Sequence, residues 1–431
     1  MLYYSTNHQS PTVNFREAAI KGQAPDKGLY FPETIPQIDP SLIREIESIP
    51  DAEIAFRIIR PFAGETIPDE LLYQIAGESI SFPIPLVELG EGYHALELFH
   101  GPTLAFKDVG ARFMSRCLAY FLKDNRKKVT VLVATSGDTG GAVANGFFGV
   151  EGVEVVILYP SGMVSPVQEK QLTTLGGNIR AIEVNGSFDD CQALVKQAFM
   201  DTTLNESLFL TSANSINVAR WLSQQFYYLL AYKQWKDKTQ PPVISVPSGN
   251  FGNICAGLMA HTGGLPVKHF IAACNVNDVV TRYLSTETYE PRKAVATLSN
   301  AMDVGEPSNF VRIQEIFGHR FTDLSKTLSS YTVTDEETLQ AIREAGQRYH
   351  YTADPHGAVA FHALEQYRHQ FPDTKGIFLE TAHPVKFPDA IVRATGNPVP
   401  VPDAVRSIMS LEKMSTRMQP EFDQLKQFLL G

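Results

Sequence analysis

The sequence predicts an α/β protein in which mostly parallel sheets are covered by helices, with a small, mainly helical extension at the N-terminus. From residue 128 onward, short apolar runs rich in β-branched residues alternate with segments whose apolar residues recur at helical spacing. This alternation is typical of parallel strands joined by helical crossovers, which cover both faces of a sheet. The first hundred residues lack the alternation, which sets the extension apart from the rest of the chain.

The N-terminal extension is expected to span residues 1–95 and to combine short helices with loop. Residues 28–40 are rich in proline, which lacks a backbone N–H group and is typical of loops. Apolar residues three or four positions apart predict helices over residues 40–49 and 69–80. The extension has the character of a small cap and not of a nucleotide-binding domain.

Regular alternation of strands and helices predicts the core. Each predicted strand is an apolar run, and each predicted helix has apolar residues at helical spacing. The predicted strands are residues 127–135, 153–160, 178–186, 241–248, 268–275 and 375–383. The predicted helices are residues 139–149, 165–176, 188–200, 216–235, 250–263, 334–349 and 355–371. Thr334 is a predicted helix cap, because Glu337 follows three residues later.

The composition excludes several classes of protein. Of the 431 residues, 44% are apolar and 19% are charged, so the chain can bury a large core and is not expected to be disordered. A net charge of −10 argues against nucleic-acid binding, and no apolar run approaches the length of a membrane span. The N-terminus lacks the basic and apolar regions of a signal peptide. A cytoplasmic location is therefore expected.

The cysteines and histidines form no recognisable metal or disulfide pattern, and no metal is expected. The cysteines lie far apart, which favours small core residues in a reducing compartment. They are Cys117, Cys191, Cys255 and Cys274. His356 fits a structural histidine near a loop, whereas His100 and His383 are candidates for lining a site.

Three turns carry small polar residues, namely residues 134–142, 211–220 and 245–253. Ligands of parallel sheets bind beyond the carboxyl ends of strands, and the unpaired N–H groups of a following helix attract anions. Taken alone, the first turn favours a plain connection capped by Asp138 or Thr139 over an anion site. The third turn suits a phosphate monoester, because two glycines bracket Asn250 and Phe251 between a strand and a helix. Nucleotides are not expected there, since neither G-x-x-x-x-G-K-[ST] nor G-x-G-x-x-G is present.

Arg220 is a candidate ligand for a phosphate dianion. A guanidinium group can form two parallel hydrogen bonds with such an anion, and Asn214 and Ser215 lie in the same turn. Arg220 follows them by about one and a half helical turns, so the sequence leaves two orientations open. It either faces the turn or lies on a solvated helix surface.

Lys107 lies between the apolar residues 103–106 and the start of an amphipathic run. Burial lowers the pKa of a lysine, and the neutral amine can then form a Schiff base with an aldehyde cofactor such as pyridoxal phosphate. The alternative is an ordinary lysine whose ammonium group reaches solvent.

Six segments in one order resemble the threonine synthase family, in its longer class with an N-terminal extension. They are residues 100–108, 134–142, 214–217, 245–253, 297–310 and 380–387. The resemblance covers essentially the whole chain and implies the two-lobed fold type II of pyridoxal-phosphate enzymes. It implies a smaller lobe at roughly residues 96–215, a larger lobe at roughly 216–400 and a helical tail at 401–431.

The resemblance also implies roles for individual residues around the cofactor. Lys107 matches the lysine that binds the cofactor covalently, and Thr381 matches a hydroxyl opposite the pyridine nitrogen. Asp138 stands where many relatives have an asparagine beside the ring hydroxyl. The residues matching the phosphate loop are Gly249, Asn250, Phe251, Gly252 and Asn253.

Two further groups of residues match positions that bind the substrate of the family. The residues expected at the substrate carboxylate are Thr135, Ser136, Gly137 and Thr139. The residues expected at the substrate phosphate are Asn214, Ser215 and Arg220. The implied reaction converts O-phospho-L-homoserine and water to L-threonine and phosphate, as a carbon–oxygen lyase of amino-acid biosynthesis.

Other interpretations predict different ligands. Serine dehydratase, threonine dehydratase and cysteine synthase share the fold but need no substrate-phosphate site. A catalytically silent relative would bind the cofactor or a phosphorylated ligand without turnover, and a phosphate-loop kinase would need a motif that is absent. The favoured enzyme acts on a small molecule as a monomer or small homo-oligomer, without nucleic acid or membrane.

Overall fold

A computed structural model of the chain describes residues 1–123 and 129–431. The strands of these residues form three sheets. In chain order the strands are β1 (Leu2–Ser5), β2 (Val13–Asn14), β3 (Tyr30–Pro32), β4 (Leu86–Gly90), β5 (Tyr93–Glu97), β6 (Val129–Ala134), β7 (Val153–Pro160), β8 (Ile179–Val184), β9 (Phe209–Thr211), β10 (Val243–Pro247), β11 (His269–Cys274), β12 (Leu328–Thr332), β13 (Gly376–Glu380) and β14 (Thr416–Met418). The first two residues of the strand predicted over 127–135 lie outside the described residues.

Helices connect the strands. In chain order they are α1 (Phe15–Lys21), α2 (Pro40–Glu45), α3 (Asp51–Ala63), α4 (Asp69–Ser79), α5 (Lys107–Leu122), α6 (Asp138–Phe147), α7 (Pro166–Thr173), α8 (Phe188–Met200), α9 (Thr202–Ser207), α10 (Val218–Leu222), α11 (Gln225–Gln234), α12 (Gly252–Thr262), α13 (Val279–Thr286), α14 (Phe310–Ile316), α15 (Phe321–Thr327), α16 (Asp335–Tyr349), α17 (Pro355–Gln370), α18 (Pro388–Thr395), α19 (Asp403–Met409) and α20 (Phe422–Leu430). Short 3₁₀ helices occur at Gly64–Thr66, Asn300–Met302 and Pro384–Lys386. Within the described residues, no helix combines the length and apolar character needed to cross a membrane.

The N-terminal extension contains a sheet as well as helices. Its strands pair antiparallel in the order β2-β1-β3. The prediction of loop over residues 28–40 is therefore wrong at Tyr30–Pro32, which form β3. Tyr30 and Phe31 are buried, and the burial of these aromatic side chains outweighs the local preference of proline for loop.

The five-stranded sheet is parallel, in the order β14-β8-β7-β6-β9. Its strands β6 and β9 are neighbours, so the turns that follow them lie at the same edge. The turn after β6 leads to α6, and the turn after β9 leads to α10. The polar turns at residues 134–142 and 211–220 are therefore adjacent.

The six-stranded sheet has the order β12-β11-β10-β13-β5-β4, and its pairs are parallel except β4 with β5. Parallel neighbours β10, β13 and β5 end at the same edge. The glycine-rich turn follows β10, Thr381 follows β13, and the loop to Lys107 follows β5. This strand order brings together three segments that are far apart in sequence.

One strand crosses a boundary that the sequence predicts, and a second strand pairs with a strand of another predicted segment. β5 spans the expected boundary at residue 95, and with β4 it joins the six-stranded sheet and not the sheet of the extension. In the expected helical tail, β14 pairs with Ile182–Val184 of β8. Buried Met418 anchors this strand in an apolar cluster that contains Ile182 and Val184, a contact that depends on residues remote in sequence.

The helix predicted over 216–235 divides into α10 and α11. At the break, Ser223 Oγ donates to the Ala219 carbonyl oxygen at 2.9 Å, and Gln224 Nε2 donates to the Arg220 carbonyl oxygen at 2.9 Å. These side-chain bonds occupy backbone acceptors of α10 near its end.

Arg312 joins the extension to the core. Its side chain is fully buried, and Nη2 donates to the carbonyl oxygens of Tyr30 at 2.9 Å and Ile216 at 2.7 Å. Nη1 donates to Asn309 Oδ1 at 2.8 Å, and the guanidinium lies 4.3 Å from the Trp221 ring centroid. Because Tyr30 belongs to β3 and Ile216 precedes α10, one side chain fixes the extension against the core.

Replacing Arg312 with methionine is expected to lower the free energy of unfolding by about 3 kcal/mol, because buried carbonyl oxygens lose charged donors. Urea titration followed by circular dichroism measures this loss. Arg320→Met is the matched control, since Arg320 is exposed and a solvent-exposed ion pair such as the one it forms with Asp323 contributes little to stability. Equal unfolding midpoints for the two variants would contradict the role given to Arg312.

Candidate active site

The loop before Lys107 is tied to the segment that follows β13. The Phe106 N–H donates to the Thr381 carbonyl oxygen at 2.9 Å, and the His383 N–H donates to the Leu104 carbonyl oxygen at 3.0 Å. Lys107 is the first residue of α5. The two hydrogen bonds therefore hold the start of α5 beside Thr381, at the carboxyl edge of the six-stranded sheet.

Lys107 lies in the interior and not at the surface. Its side chain is 16% exposed, and Nζ lies 4.0 Å from Asp138 Oδ2 and 4.6 Å from the Phe106 ring centroid. Burial lowers the pKa of Lys107, and Asp138 opposes this effect. The cations Lys386 and Arg220 lower the same pKa further. A larger share of neutral amine is therefore available than on a surface lysine, as a nucleophile needs.

Asp138 begins α6 and carries a buried carboxylate. Its Oδ1 accepts hydrogen bonds from Lys386 Nζ at 2.6 Å and from Gln168 Nε2 at 2.9 Å. Burial alone would raise the pKa of Asp138, but Lys386 and Lys107 hold it well below its usual range. Lys386 and Gln168 are not among the residues predicted from sequence. The one sequence feature that could have pointed to Lys386 is its place in residues 380–387, a segment that resembles the family.

The glycine-rich turn after β10 packs tightly against a neighbouring loop. A Cβ added at Gly249 would lie 2.5 Å from the Met302 Cα. Asn250 Nδ2 donates to Ser215 Oγ at 2.6 Å, and Asn250 Oδ1 accepts from the Ser308 N–H at 2.6 Å. The turn is thus bonded to the segment after β9, where the predicted phosphate ligands lie.

The residues present fit the pyridoxal phosphate that the resemblance implies. Phe251 precedes α12 with a left-handed φ of 59°, and the first turn of this helix has backbone N–H groups without helical partners. In that turn Asn253 is buried, and its Nδ2 has no hydrogen-bond partner among the described residues. An orphaned donor at a helix N-terminus suits a phosphate group, and the buried amine of Lys107 suits an aldehyde.

The turn before α6 is closed by a buried hydroxyl. Thr135 Oγ1 accepts from the Gly137 N–H at 3.0 Å and from the Gly140 N–H at 2.8 Å. Gly137 has a φ of 138°, a conformation that favours glycine. Ser136 is exposed and Thr139 is half-buried. Thr135 therefore shapes the turn, while the hydroxyls of Ser136 and Thr139 remain accessible to a ligand.

Arg220 is buried, which decides between the two orientations that the sequence leaves open. It is 3% exposed, its Nη1 donates to the Ala213 carbonyl oxygen, and its Nε has no partner among the described residues. Burial lowers the pKa of Arg220 to about 10, so the guanidinium remains charged at neutral pH. Asn214 and Ser215 are half-buried in the same turn. Arg220 is thus an interior cation with an unused donor.

His356 fixes the loop that packs on the glycine-rich turn. Its Nδ1–H donates to Asp354 Oδ1 at 2.5 Å, and its Nε2 accepts from the Ala301 N–H at 3.2 Å. Ala301 is adjacent to Met302, which lies against Gly249. His356 therefore has the structural role that the sequence predicts.

The other two candidate histidines make local contacts. His100 Nε2 lies 2.6 Å from Glu97 Oε2, and His383 Nδ1 accepts from the Val385 N–H at 3.1 Å. In residues 1–123 and 129–431, no group of three or more His, Cys, Asp or Glu side chains is arranged to hold a metal ion. The expectation that His100 and His383 line the site stays a prediction.

Replacing Gly249 with alanine is expected to weaken pyridoxal phosphate binding by about tenfold or more, because the new Cβ would displace the Met302 backbone. Titration of the apoprotein with the cofactor, followed by absorbance, measures the dissociation constant. Gly346→Ala is the matched control, since the nearest atom that a Cβ there would meet beyond the neighbouring backbone of its own helix is 4.0 Å away. A Gly249→Ala variant with unchanged affinity would rule out tight packing of this turn as a requirement for cofactor binding.

Three family models match segments of the chain. Residues 83–380 match the model described as pyridoxal-phosphate dependent enzyme. Residues 2–80 match the model of the threonine synthase N terminus, and residues 357–429 match that of the threonine synthase C-terminal region. In chain order, the first match ends before the second begins, whereas the third overlaps the end of the second.

Relatives match the chain over its full length. The threonine synthase of Haemophilus influenzae is 46% identical over 434 residues, with 100% of each chain covered. The crystal structure of threonine synthase from Escherichia coli shares 44% identity and a TM-score of 0.91, covering 100% of this chain and 99% of that chain. The pyridoxal-phosphate-bound threonine synthase from Brucella melitensis shares 33% identity and a TM-score of 0.93, with the same coverage. The predicted resemblance and fold class are confirmed, and the chain belongs to the threonine synthase family of pyridoxal-phosphate-dependent enzymes.

Proposed function

We propose that the chain converts O-phospho-L-homoserine and water to L-threonine and phosphate with pyridoxal phosphate as its cofactor. The observation that carries this proposal is a pair of buried cations, Lys107 and Arg220, in which the charge of Arg220 is near enough to lower the pKa of Lys107. Lys107 provides the amine that the cofactor requires. Arg220 provides a charge for a second anion, which a substrate carrying a phosphate ester would supply.

We assign the cofactor to the residues that converge on Lys107. Lys107 would hold its aldehyde, Thr381 would supply a hydroxyl to its ring nitrogen, and Asp138 would face its ring hydroxyl. The proposed phosphate loop comprises Gly249, Asn250, Phe251, Gly252 and Asn253. The unpaired Nδ2 of Asn253 and the N-terminus of α12 support this assignment.

We assign the two anionic ends of the substrate to two other turns. The carboxylate is bound by the turn of Thr135, Ser136, Gly137 and Thr139. The phosphate is bound by Asn214, Ser215 and Arg220. Both assignments are supported by the adjacency of β6 and β9, since it places the two turns at one edge of the five-stranded sheet.

Lys107 is the proposed acid and base of the reaction. When bound, the cofactor supplies an electron-accepting ring that stabilises negative charge on the substrate carbon beside its amine. Lys107 Nζ moves protons among the substrate α-, β- and γ-carbons. Phosphate leaves from the γ-carbon, and water adds at the β-carbon. The hydroxyl of Thr381 cannot protonate the ring nitrogen, which would keep the ring a moderate electron acceptor and limit competing transamination.

We further propose that the smaller lobe closes on the larger one around the substrate and excludes stray water before hydration. The enzyme is expected to work in the cytoplasm as a monomer or small homo-oligomer. Its substrate is a small molecule.

A substrate comparison tests the proposal against the related dehydratases. The purified enzyme is given O-phospho-L-homoserine, L-serine or L-threonine, and phosphate, threonine and oxo-acid products are measured. We expect threonine and phosphate from O-phospho-L-homoserine and at most slow oxo-acid formation from the other two. Rapid oxo-acid formation from L-serine or L-threonine, without turnover of the phosphorylated substrate, would favour a dehydratase instead.

A further inference from the structure

One buried carboxylate is shared unequally by two lysines. Asp138 Oδ1 lies 2.6 Å from Lys386 Nζ, whereas Asp138 Oδ2 lies 4.0 Å from Lys107 Nζ. The side chain of Lys386 is fully buried, and that of Asp138 is 5% exposed. Asp138 therefore pairs directly with Lys386 and only weakly with Lys107.

Lys386 is fixed in place by a second hydrogen bond. Its Nζ donates to the Thr103 carbonyl oxygen at 2.8 Å. Thr103 in turn donates from its N–H to Asp108 Oδ2 at 2.9 Å and from its Oγ1 to Asp108 Oδ1 at 2.5 Å. One end of this hydrogen-bonded chain is Asp138, whose carboxylate lies near the Lys107 amine. The other end is Asp108, which directly follows Lys107 in the sequence.

The side chain of Gln168 also holds Asp138 in place. Gln168 Nε2 donates to Asp138 Oδ1 at 2.9 Å, and Gln168 Oε1 accepts from the Ser165 N–H at 3.1 Å. The oxygen that Lys386 contacts thus has two donors, both from side chains anchored elsewhere. This arrangement prevents Asp138 from turning the same oxygen toward Lys107.

The charges around Lys107 come from several elements. Asp138 on α6 and Asp354 before α17 favour its protonated form, whereas Lys386 after β13 and Arg220 on α10 oppose it. If Lys386 were absent, the carboxylate of Asp138 would have Lys107 as its nearest lysine. Lys386 therefore weakens the attraction between the Asp138 carboxylate and the protonated Lys107, and its own charge repels the protonated Lys107.

We propose that Lys386 is a positioning residue that engages Asp138 as its ion-pair partner and thereby keeps the amine of Lys107 ready to accept a proton. This inference rests on the proposed function, in which Lys107 moves protons on the substrate. Lys386 itself acts through Asp138.

The holoenzyme absorbance, followed against pH, reports the protonation of the Lys107 nitrogen when the cofactor is attached. For Lys386→Met we expect the titration midpoint to rise by about 1–3 pH units, because repulsion is lost. For Asp138→Asn we expect the midpoint to fall, because attraction is lost. The double variant removes both charges and is expected to return toward the wild-type midpoint.

Lys413→Met is the matched control. Lys413 pairs with Glu169 at 2.5 Å and with Glu183 at 2.8 Å, outside the candidate site, and its removal is expected to leave the midpoint unchanged. Borohydride reduction followed by peptide mass spectrometry checks that the cofactor is attached to Lys107 in each variant. A midpoint shift without displacement of the cofactor would be the signature of the proposed role.

A wild-type midpoint in Lys386→Met, with the cofactor on Lys107, would overturn the inference. If Lys386→Met fails to fold, the double variant decides, because it leaves no unpaired charge on Asp138. Its midpoint must then lie about 1 pH unit or more above that of Asp138→Asn. Failure of the wild type to bind the cofactor would instead overturn the proposed function, so the two failures are distinguishable.

Discussion

Replacing Lys107 with alanine is expected to reduce threonine formation from O-phospho-L-homoserine by about 10³-fold or more. The variant loses both the amine that binds the cofactor aldehyde and the group that moves protons on the substrate. Steady-state threonine formation measures the loss. Alanine is a good helix former, so α5 is expected to remain folded.

Lys123→Ala is the matched control for this prediction. Lys123 lies at the other end of α5 and is exposed. We expect this variant to retain wild-type turnover and the absorbance of the bound cofactor. A Lys107→Ala enzyme with more than a tenth of wild-type activity would contradict the catalytic role of Lys107.

Replacing Arg220 with methionine is expected to lower kcat/KM for O-phospho-L-homoserine by about 100-fold or more, because a buried phosphate group would lose its charged partner. The cofactor spectrum is expected to stay unchanged, since the assigned cofactor phosphate loop lies after β10. Inorganic phosphate is expected to inhibit the wild type competitively and the variant much less. Arg220→Lys retains charge but loses the paired donors, so an intermediate loss is expected.

Arg180→Met is the control for Arg220. Arg180 lies on β8 and pairs with Glu154 at 3.3 Å near the surface, away from the turns at the carboxyl edge. We expect it to leave kcat/KM unchanged. Unchanged kcat/KM in Arg220→Met would remove the main support for a substrate-phosphate site and would favour the dehydratase interpretation.

Those parts of the site that depend on local signals could be predicted from the sequence. Lys107 lies at the junction of an apolar segment and a helix, and the run from Gly249 to Asn253 leads from the end of a strand into the first turn of a helix. Parallel strands place such junctions at one edge of a sheet, so convergence of these segments follows from the strand order. The order β10-β13-β5 itself is not visible in the sequence.

The parts that could not be predicted depend on contacts between remote residues. Lys386 carries no mark of burial in the sequence, and its pairing with Asp138 spans 248 positions (386 less 138). Arg312 looks like an ordinary helix arginine, yet its carbonyl partners lie on β3 and before α10. A buried cation is tolerated only where packing supplies its partners, and packing is fixed by the whole chain.

The decisive measurement is the fate of both products in water labelled with oxygen-18. The enzyme is incubated with O-phospho-L-homoserine, and phosphate and threonine are quantified by mass spectrometry. We expect equal amounts of the two, with the label in the hydroxyl group of threonine and none in phosphate, because cleavage at the γ-carbon leaves the bridging oxygen on phosphate. Labelled phosphate would indicate simple ester hydrolysis, and phosphate without threonine would indicate elimination without hydration; either result would contradict the assigned reaction.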